Sequence, residues 1–381
     1  MRICMPTFRS ISREAFQCGL YEAQDVLAEA SDADLINLQP DRGFRIRDRW
    51  QRRLLFRFPG VSSGLASMNP GLQRERLTRD YDLFIAVCQN AWDLLYINAV
   101  DGWKERCGSS ICWLDEIREA DIPASRDLLR GLRRFDHVFL NNQDTVGPLS
   151  KFLGRQCHHL PRGIDVLRFS PFPNRPARSI DVYSIGRRWE GVHRALLRSA
   201  SMGERFYAYD SYEGMSKMKP IDHKQHRELF GNMAKRSKYF LVSPGKMDRP
   251  DETRGQVDVG FRYFEGAAAG AVLIGQAADC EAFRDLFPWP DAVVEIKPDG
   301  SDTLRVLADL DANPARLSTI SLRNAVESML RHDWVYRWKQ IFQISGVEPS
   351  PGMMAREALL KRLADAALHA PMTGANARTL Q

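Results

Sequence analysis

The sequence predicts an α/β protein built as two domains, each a parallel sheet covered by helices, with the two facing each other across a cleft. Three observations carry this reading. Short apolar runs recur along the chain, separated by longer intervals rich in Arg, Glu and Leu, which is the pattern of strand–helix–strand crossovers. A segment holding three prolines, DVLRFSPFPNRPARS (165–179), interrupts that alternation near mid-chain. The length of 381 residues also favours two cores over one.

Taken in order, RICMPTF (2–8) reads as the first strand, followed by DLINLQ (34–39), DLFIAVCQ (82–89), SSICWLD (109–115), FDHVFLNN (135–142) and CHHLPRGID (157–165). Each is apolar with β-branched or aromatic content. Intervals such as DIPASRDLLRGLRR (121–134) read as helices. Beyond the proline segment the alternation resumes with strands at IDVYSIG (180–186), RFYAYD (205–210), KYFLVSP (238–244), AVLIG (271–275) and AVVEIKP (292–298). From residue 301 onward the pattern is mostly helical. The expected divisions are an N-terminal domain over 1–168, a second domain over 169–345, and a C-terminal helix with a frayed polar tail over 346–381. No repeat is visible in the sequence, although the halves share an architecture.

Composition narrows the class. Hydrophobic residues make up 44% and charged residues 27%, enough apolar material for sizeable cores. No apolar run reaches the roughly 20 residues of a membrane span, and the N-terminus lacks the apolar core of a signal peptide. Seven scattered cysteines with no CxxC pair argue against a disulfide framework or a structural zinc, so a reduced, cytoplasmic protein is expected. Net charge is +6, and seven arginines crowd into RGFRIRDRWQRRLLFR (42–57), with Phe44, Trp50 and Phe56 among them. Such a segment suits peripheral contact with anionic lipid or a polyanionic acceptor, or else is a solvated helix whose aromatics reach the core. No nucleic-acid-binding motif accompanies it, so no nucleic-acid partner is expected.

Metal ligation has little support. The D-x-D strings at 32–34 and 309–311 precede a strand and lie in a helical run, and the pairs His158/His159 and His223/His226 lack further ligands at suitable spacing. Two stretches carry chemistry instead. In YSIGRRWEG (183–191) an apolar strand ends at Gly186, and Arg187 and Arg188 follow before the next helix. Arginines there suit a pyrophosphate in the cleft, or are simply solvated. In GFRYFEGAAAGAVLIG (260–275) a helix beginning at Phe264 or Glu265 places Glu265 in its first turn. A carboxylate there satisfies the helix dipole, or else it faces the cleft and accepts the hydroxyls of a ribose. The small residues after it let the helix lie close to its sheet.

These two stretches together resemble the C-terminal domain of the group-one glycosyltransferases with the GT-B fold. Arg262, Phe264, Glu265, Ala268, Gly270 and Ile274 are most similar to the spore-maturation-protein-like branch, and LPRGIDVLRFSP (160–171) resembles the segment by which that family leaves its N-terminal domain. The resemblance implies a GT-B fold of two Rossmann-like domains and a nucleotide-diphosphate-sugar donor, with no other cofactor and no metal. It implies retaining transfer to a glycan, lipid-linked or small-molecule acceptor. Glu265 takes the place of the ribose-binding glutamate, and Arg187 and Lys246 that of the cations stabilising the leaving diphosphate. Gly186, Arg188, Ser243, Gly245, Arg262, Tyr263 and Phe264 then surround the donor. From the facing domain Asp115, followed by Glu116, is the candidate base. One departure stands out: the family's second glutamate, eight residues before the first, is Val257 here, with Glu252 and Asp258 out of register. A sugar-nucleotide epimerase of the same shape, or a nucleotide- or glycan-binding protein without transfer activity, is the alternative reading.

Overall fold

The computed structural model describes residues 1–31, 33–58, 60, 63–211 and 218–369. The expected frayed tail, and Asp32 of the first D-x-D string, lie outside the described residues.

All eleven expected strands are present. The N-terminal sheet contains β1 (Ile3–Thr7), β2 (Asp34–Asn37), β3 (Tyr81–Cys88), β4 (Cys107–Leu114), β5 (His137–Leu140) and β6 (His158–His159), in the order β2-β1-β3-β4-β5-β6. The second sheet contains β7 (Ile180–Ser184), β8 (Tyr207–Tyr209), β9 (Ser237–Val242), β10 (Val272–Gly275) and β11 (Val294–Glu295), in the order β8-β7-β9-β10-β11. Every pairing in both sheets is parallel. Parallel strands lie buried under helices on both faces, which is why they read as continuous apolar runs and not as alternating ones. The fold is thus α/β with two Rossmann-like halves that share the strand order 2-1-3-4-5, the first adding a sixth strand at its edge. A small extra sheet pairs Glu75–Arg76 with Val100–Asp101, a feature too short to have a sequence signal.

The helices that shape the site are α1 (Cys18–Ser31), α2 (Phe44–Arg57), α3 (Glu190–Ser201), α4 (His223–Lys235), α5 (Phe261–Ala268), α6 (Pro314–Arg331), α7 (Trp334–Ile344) and α8 (Pro351–His369). Helix α5 lies close on its sheet because of its small residues. A Cβ at Gly266 would sit 2.5 Å from Leu273 Cδ2 and 2.7 Å from Phe240 Cδ1. It begins at Phe261, one turn before the expected start, because Gly260 supplies an extended N-cap without a capping side chain.

The C-terminal helices return to the first domain. Trp338 Nε1 donates to the Ala23 carbonyl (2.9 Å), and Ser350 Oγ to that of Ala30 (2.7 Å), both on α1. Trp334 and Trp338 also pack edge-on against Trp113 of β4. One buried apolar cluster therefore runs from Met5 and Trp113 through these helices to Phe240 and Leu273 of the second domain.

Candidate functional site

In a sheet of order 2-1-3, the connections from the first and third strands leave in opposite directions, and a crevice opens beyond their carboxyl ends. In the second domain that point lies between β7 and β9. A cleft of about 590 Å³ occupies it. Its wall on that side carries Gly186 and Arg187 after β7, Ser243, Pro244, Gly245 and Lys246 after β9, and Phe261, Arg262 and Glu265 of α5. The facing wall comes from the N-terminal domain: Ala15, Phe16 and Gly19 where α1 begins, Gln89 after β3, and Asp115 and Glu116 after β4. The walls meet closely. A Cβ at Gly19 would lie 2.8 Å from the ring of Phe261.

Glu265 is buried at the cleft floor, with each carboxylate oxygen taken by a different arginine: Arg227 Nη1 on Oε1 and Arg262 Nη1 on Oε2. Burial pushes its carboxyl up, but the two guanidiniums outweigh this and hold it below the usual glutamate range. Since α5 starts a turn early, Glu265 sits in the second turn. The arginines, and not the helix dipole, keep it ionised. Arg227 reaches further, donating from Nε to Glu22 Oε2 on α1 (2.7 Å), while Glu22 Oε1 accepts from Trp334 Nε1 and the Asp165 amide. Arg227 thereby ties the two domains together through two buried carboxylates.

A second buried arginine repeats the device. Arg162 donates from Nε and Nη2 to the two oxygens of Asp115, both at 2.8 Å, and from Nη1 to Asp258 Oδ2 (3.1 Å) and the Val259 carbonyl (3.1 Å). Asn141 and Gln89 add donors to Asp258 and Asp115. Asp115 is accordingly a buried anchor, with both oxygens engaged by Arg162 and one of them also by Gln89. Burial raises its carboxyl against the pull of Arg162.

At the opposite end of the cleft, Arg187 pairs with Asp248, and Lys246 Nζ lies 3.4 Å from Glu252 and 3.5 Å from Glu116 across the domain boundary. Lys246 adopts a left-handed backbone (φ 54°), rare for a side-chain-bearing residue. The amide of Gly245 donates to the Asp258 carbonyl (2.9 Å).

Three expected donor residues lie elsewhere. Arg188 turns away from the cleft onto the carbonyl of Asp210 (2.6 Å) and the ring of Tyr209. Tyr263 is in the core, its hydroxyl donating to the Gln276 carbonyl (2.6 Å), and Phe264 packs on Phe287 and His332. At 100° per residue, Phe261, Arg262 and Glu265 share the cleft face of α5, and Tyr263 and Phe264 must take the other. Among the described residues of the D-x-D strings, Asp34 pairs with Arg79, and Asp311 with Lys238 and Tyr239. His223 bonds Asp25 of α1 (2.8 Å).

Sequence reasoning passed over Arg162 and Arg227, which no local pattern marks since their partners lie in distant segments, and weighed His226 only as half of a metal-ligating pair with His223. His226 lines the cleft, where burial, then Arg227 and Arg262, push its imidazole down to about 4. Between about pH 6.5 and 4 the unfolded chain therefore binds a proton that folded His226 refuses, so stability falls as pH falls through that window. His226→Gln is expected to flatten the acid limb of a stability–pH curve, measured by urea denaturation, without changing stability at pH 8.

Residues 174–343 match the model of the family described as glycosyl transferase-like. That match falls on the domain that carries Arg187, Lys246 and Glu265. Over 174–343 the chain is similar to the glycosyl transferase-like family, and its two Rossmann-like halves have the GT-B arrangement. No curated protein matches the chain by sequence. Among solved structures it is similar to HepE of Anabaena in complex with UDP and glucose, with 12% identity, a TM-score of 0.50 and coverage of 91% of this chain and 99% of that one. It is similar as well to an α-glucosyltransferase in complex with UDP and a 13-mer DNA containing an HMU base, with 11% identity, a TM-score of 0.51 and coverage of 90% and 99%. At such identities the likeness is one of fold.

Proposed function

We propose that the chain is a glycosyltransferase that takes its sugar from a uridine-diphosphate sugar held mainly by the second domain. It passes the sugar to a glycan, lipid-linked or small-molecule acceptor entering from the first, working in the cytoplasm. The observation that carries the reading is the gathering of Glu265, Arg187 and Lys246 on one wall of the cleft at the switch point. Both structural relatives were captured with UDP, which supports uridine as the base. A carboxylate has about four lone-pair sites, so Glu265 retains about two for ribose hydroxyls after accepting from Arg227 and Arg262. In transfer the bond from the anomeric carbon to the β-phosphate oxygen breaks, and a bond to the acceptor oxygen forms. Negative charge collects on the phosphate, where fixed cations contribute most.

Arg187 and Lys246 are placed to supply that charge. Each is neutralised now by Asp248, Glu252 or Glu116, and the diphosphate would take over from these carboxylates. Asp115 is held by Arg162, so the acceptor proton goes to the departing phosphate, which accords with retention of configuration. Side-chain cations doing this work make transfer metal-independent.

The test is a thermal-shift screen against UDP, GDP and ADP with and without EDTA, followed by turnover of UDP-glucose with product anomer read by NMR. A UDP-specific rise in Tm that survives EDTA is expected. Arg187→Ala and Lys246→Ala are each expected to lower kcat by about 100-fold, the scale of losing one preorganised charge donor. No UDP-dependent rise would overturn the donor assignment. Binding of UDP-glucose with no turnover would favour a binding protein instead. One observation favours that second reading: Val257, at the family's second-glutamate position, lines a small separate pocket beside Asn141 and His159 and not the cleft.

A further inference from the structure

Helix α2 has two unlike faces. Toward the domain it turns Phe44, Asp48, Gln51, Arg52 and Leu55, with Arg52 bonded to Asp48 (2.8 Å) and to Tyr96 Oη (2.7 Å). Away from it, the spacing of four sets Arg45, Arg49, Arg53 and Arg57 in one stripe, beside a second stripe of Ile46, Trp50 and Leu54. The expectation that the aromatics of this segment reach the core holds only for Phe44: Trp50 is 57% exposed, Ile46 66% and Phe56 76%. None of the four arginines is in an ion pair among the described residues, and Arg53 lies over the ring of Trp50.

We infer that this face docks the protein on an anionic lipid surface. Arginines in a stripe beside Trp, Ile, Leu and Phe match the two layers of a leaflet, with phosphates outside and acyl chains beneath. A helix of this kind lies in the interface plane. Charge decides against the other occupants. A second copy would bring four more arginines against these four. A nucleic-acid backbone would satisfy the arginines and leave Ile46, Trp50 and Phe56 in water.

Placement adds a consequence. Helix α2 follows β2, so it begins at the carboxyl edge of the sheet, beyond which the cleft opens. The loop there is tied to the segment before α1 through Gln39 Nε2 on Ser10 Oγ (2.9 Å). A docked molecule would hold the acceptor side of its cleft near the membrane plane. This goes beyond the transfer reading and does not depend on it.

The experiment is flotation of the full chain with vesicles of phosphatidylcholine alone, or mixed equally with phosphatidylglycerol, at low and high salt. Binding is expected only with phosphatidylglycerol, and salt weakens it. The double variant Arg45→Glu/Arg49→Glu is expected to lose more than about tenfold in partitioning, since each arginine near such a surface contributes about fivefold. Trp50→Ser/Phe56→Ser should lose partitioning too. Both pairs are exposed, so Tm should be unchanged, which separates lost docking from lost fold. Absence of phosphatidylglycerol-dependent flotation, or variants floating like the parent, overturns the proposal. So does duplex DNA outcompeting the vesicles, which assigns the face to nucleic acid. A dimer in sedimentation velocity that Trp50→Ser abolishes likewise overturns it, in favour of a second copy.

Discussion

Arg162→Ala is expected to cost about 3–5 kcal/mol of folding stability in urea denaturation, the scale of breaking a buried ion pair by removing one partner. The loss is not that of one contact. Asp115 and Asp258 are both buried, and Arg162 is the cation shared between them, so its removal leaves two carboxylates facing each other in the interior. Asn141 and Gln89 satisfy single oxygens but carry no charge. The deficit has a pH signature. With Arg162 gone, desolvation and mutual repulsion raise the carboxyl pKa values of the folded state above their unfolded values. The folded variant then binds protons more readily than the unfolded chain, so the deficit is fullest at neutral pH and shrinks on acidification. Arg305→Ala, which breaks an exposed pair with Asp309 one helical turn away, serves as the control and is expected to cost less than about 0.5 kcal/mol. A loss at Arg162 no larger than that control would mean that this buried cluster holds the domains no better than an exposed pair would.

This arginine also shows where sequence reading stopped. The strands were legible because a parallel strand buried on both faces must be an unbroken apolar run, and the intervals between runs were long enough for crossover helices. The position of the cleft followed from strand order, and with it Gly186, Arg187, Ser243, Gly245, Lys246, Arg262 and Glu265 came together as expected. What failed depended on direction or on distance. Arg187 and Arg188 are neighbours in an irregular loop, and nothing local says which one faces the ligand. The start of α5 carries no capping side chain, so its early beginning at Phe261 was invisible, and with it the turn that sends Tyr263 and Phe264 inward. Arg162, Arg227 and Glu22 are single charged residues whose oppositely charged partners here lie from 38 to 205 positions away in sequence. Only the fold brings them into contact.

Glu265→Gln is expected to raise the Kd for UDP by roughly 10- to 100-fold while leaving Tm within a few degrees of the parent, measured by calorimetry and thermal unfolding. The magnitude follows from replacing a charged acceptor by a neutral one, since bonds to charged groups contribute about 1.5–3 kcal/mol. Gentle behaviour in the fold follows from the neighbours. Arg227 keeps Glu22, and Arg262 keeps the Ile185 carbonyl (3.0 Å), so neither guanidinium is stranded. Glu265→Ala should weaken UDP at least as much and also lower Tm, because it opens a void between two arginines. Comparing the two variants separates ligand binding from scaffolding. Tyr263→Phe on the same helix removes a core hydroxyl bonded to Gln276 and faces away from the cleft, so it should cost about 1 kcal/mol of stability and leave Kd unchanged. Should Glu265→Gln bind UDP within about twofold of the parent, the carboxylate is a bracket for Arg227 and Arg262 and not the ribose acceptor. The donor would then have to be held from the Arg187 and Lys246 end of the cleft.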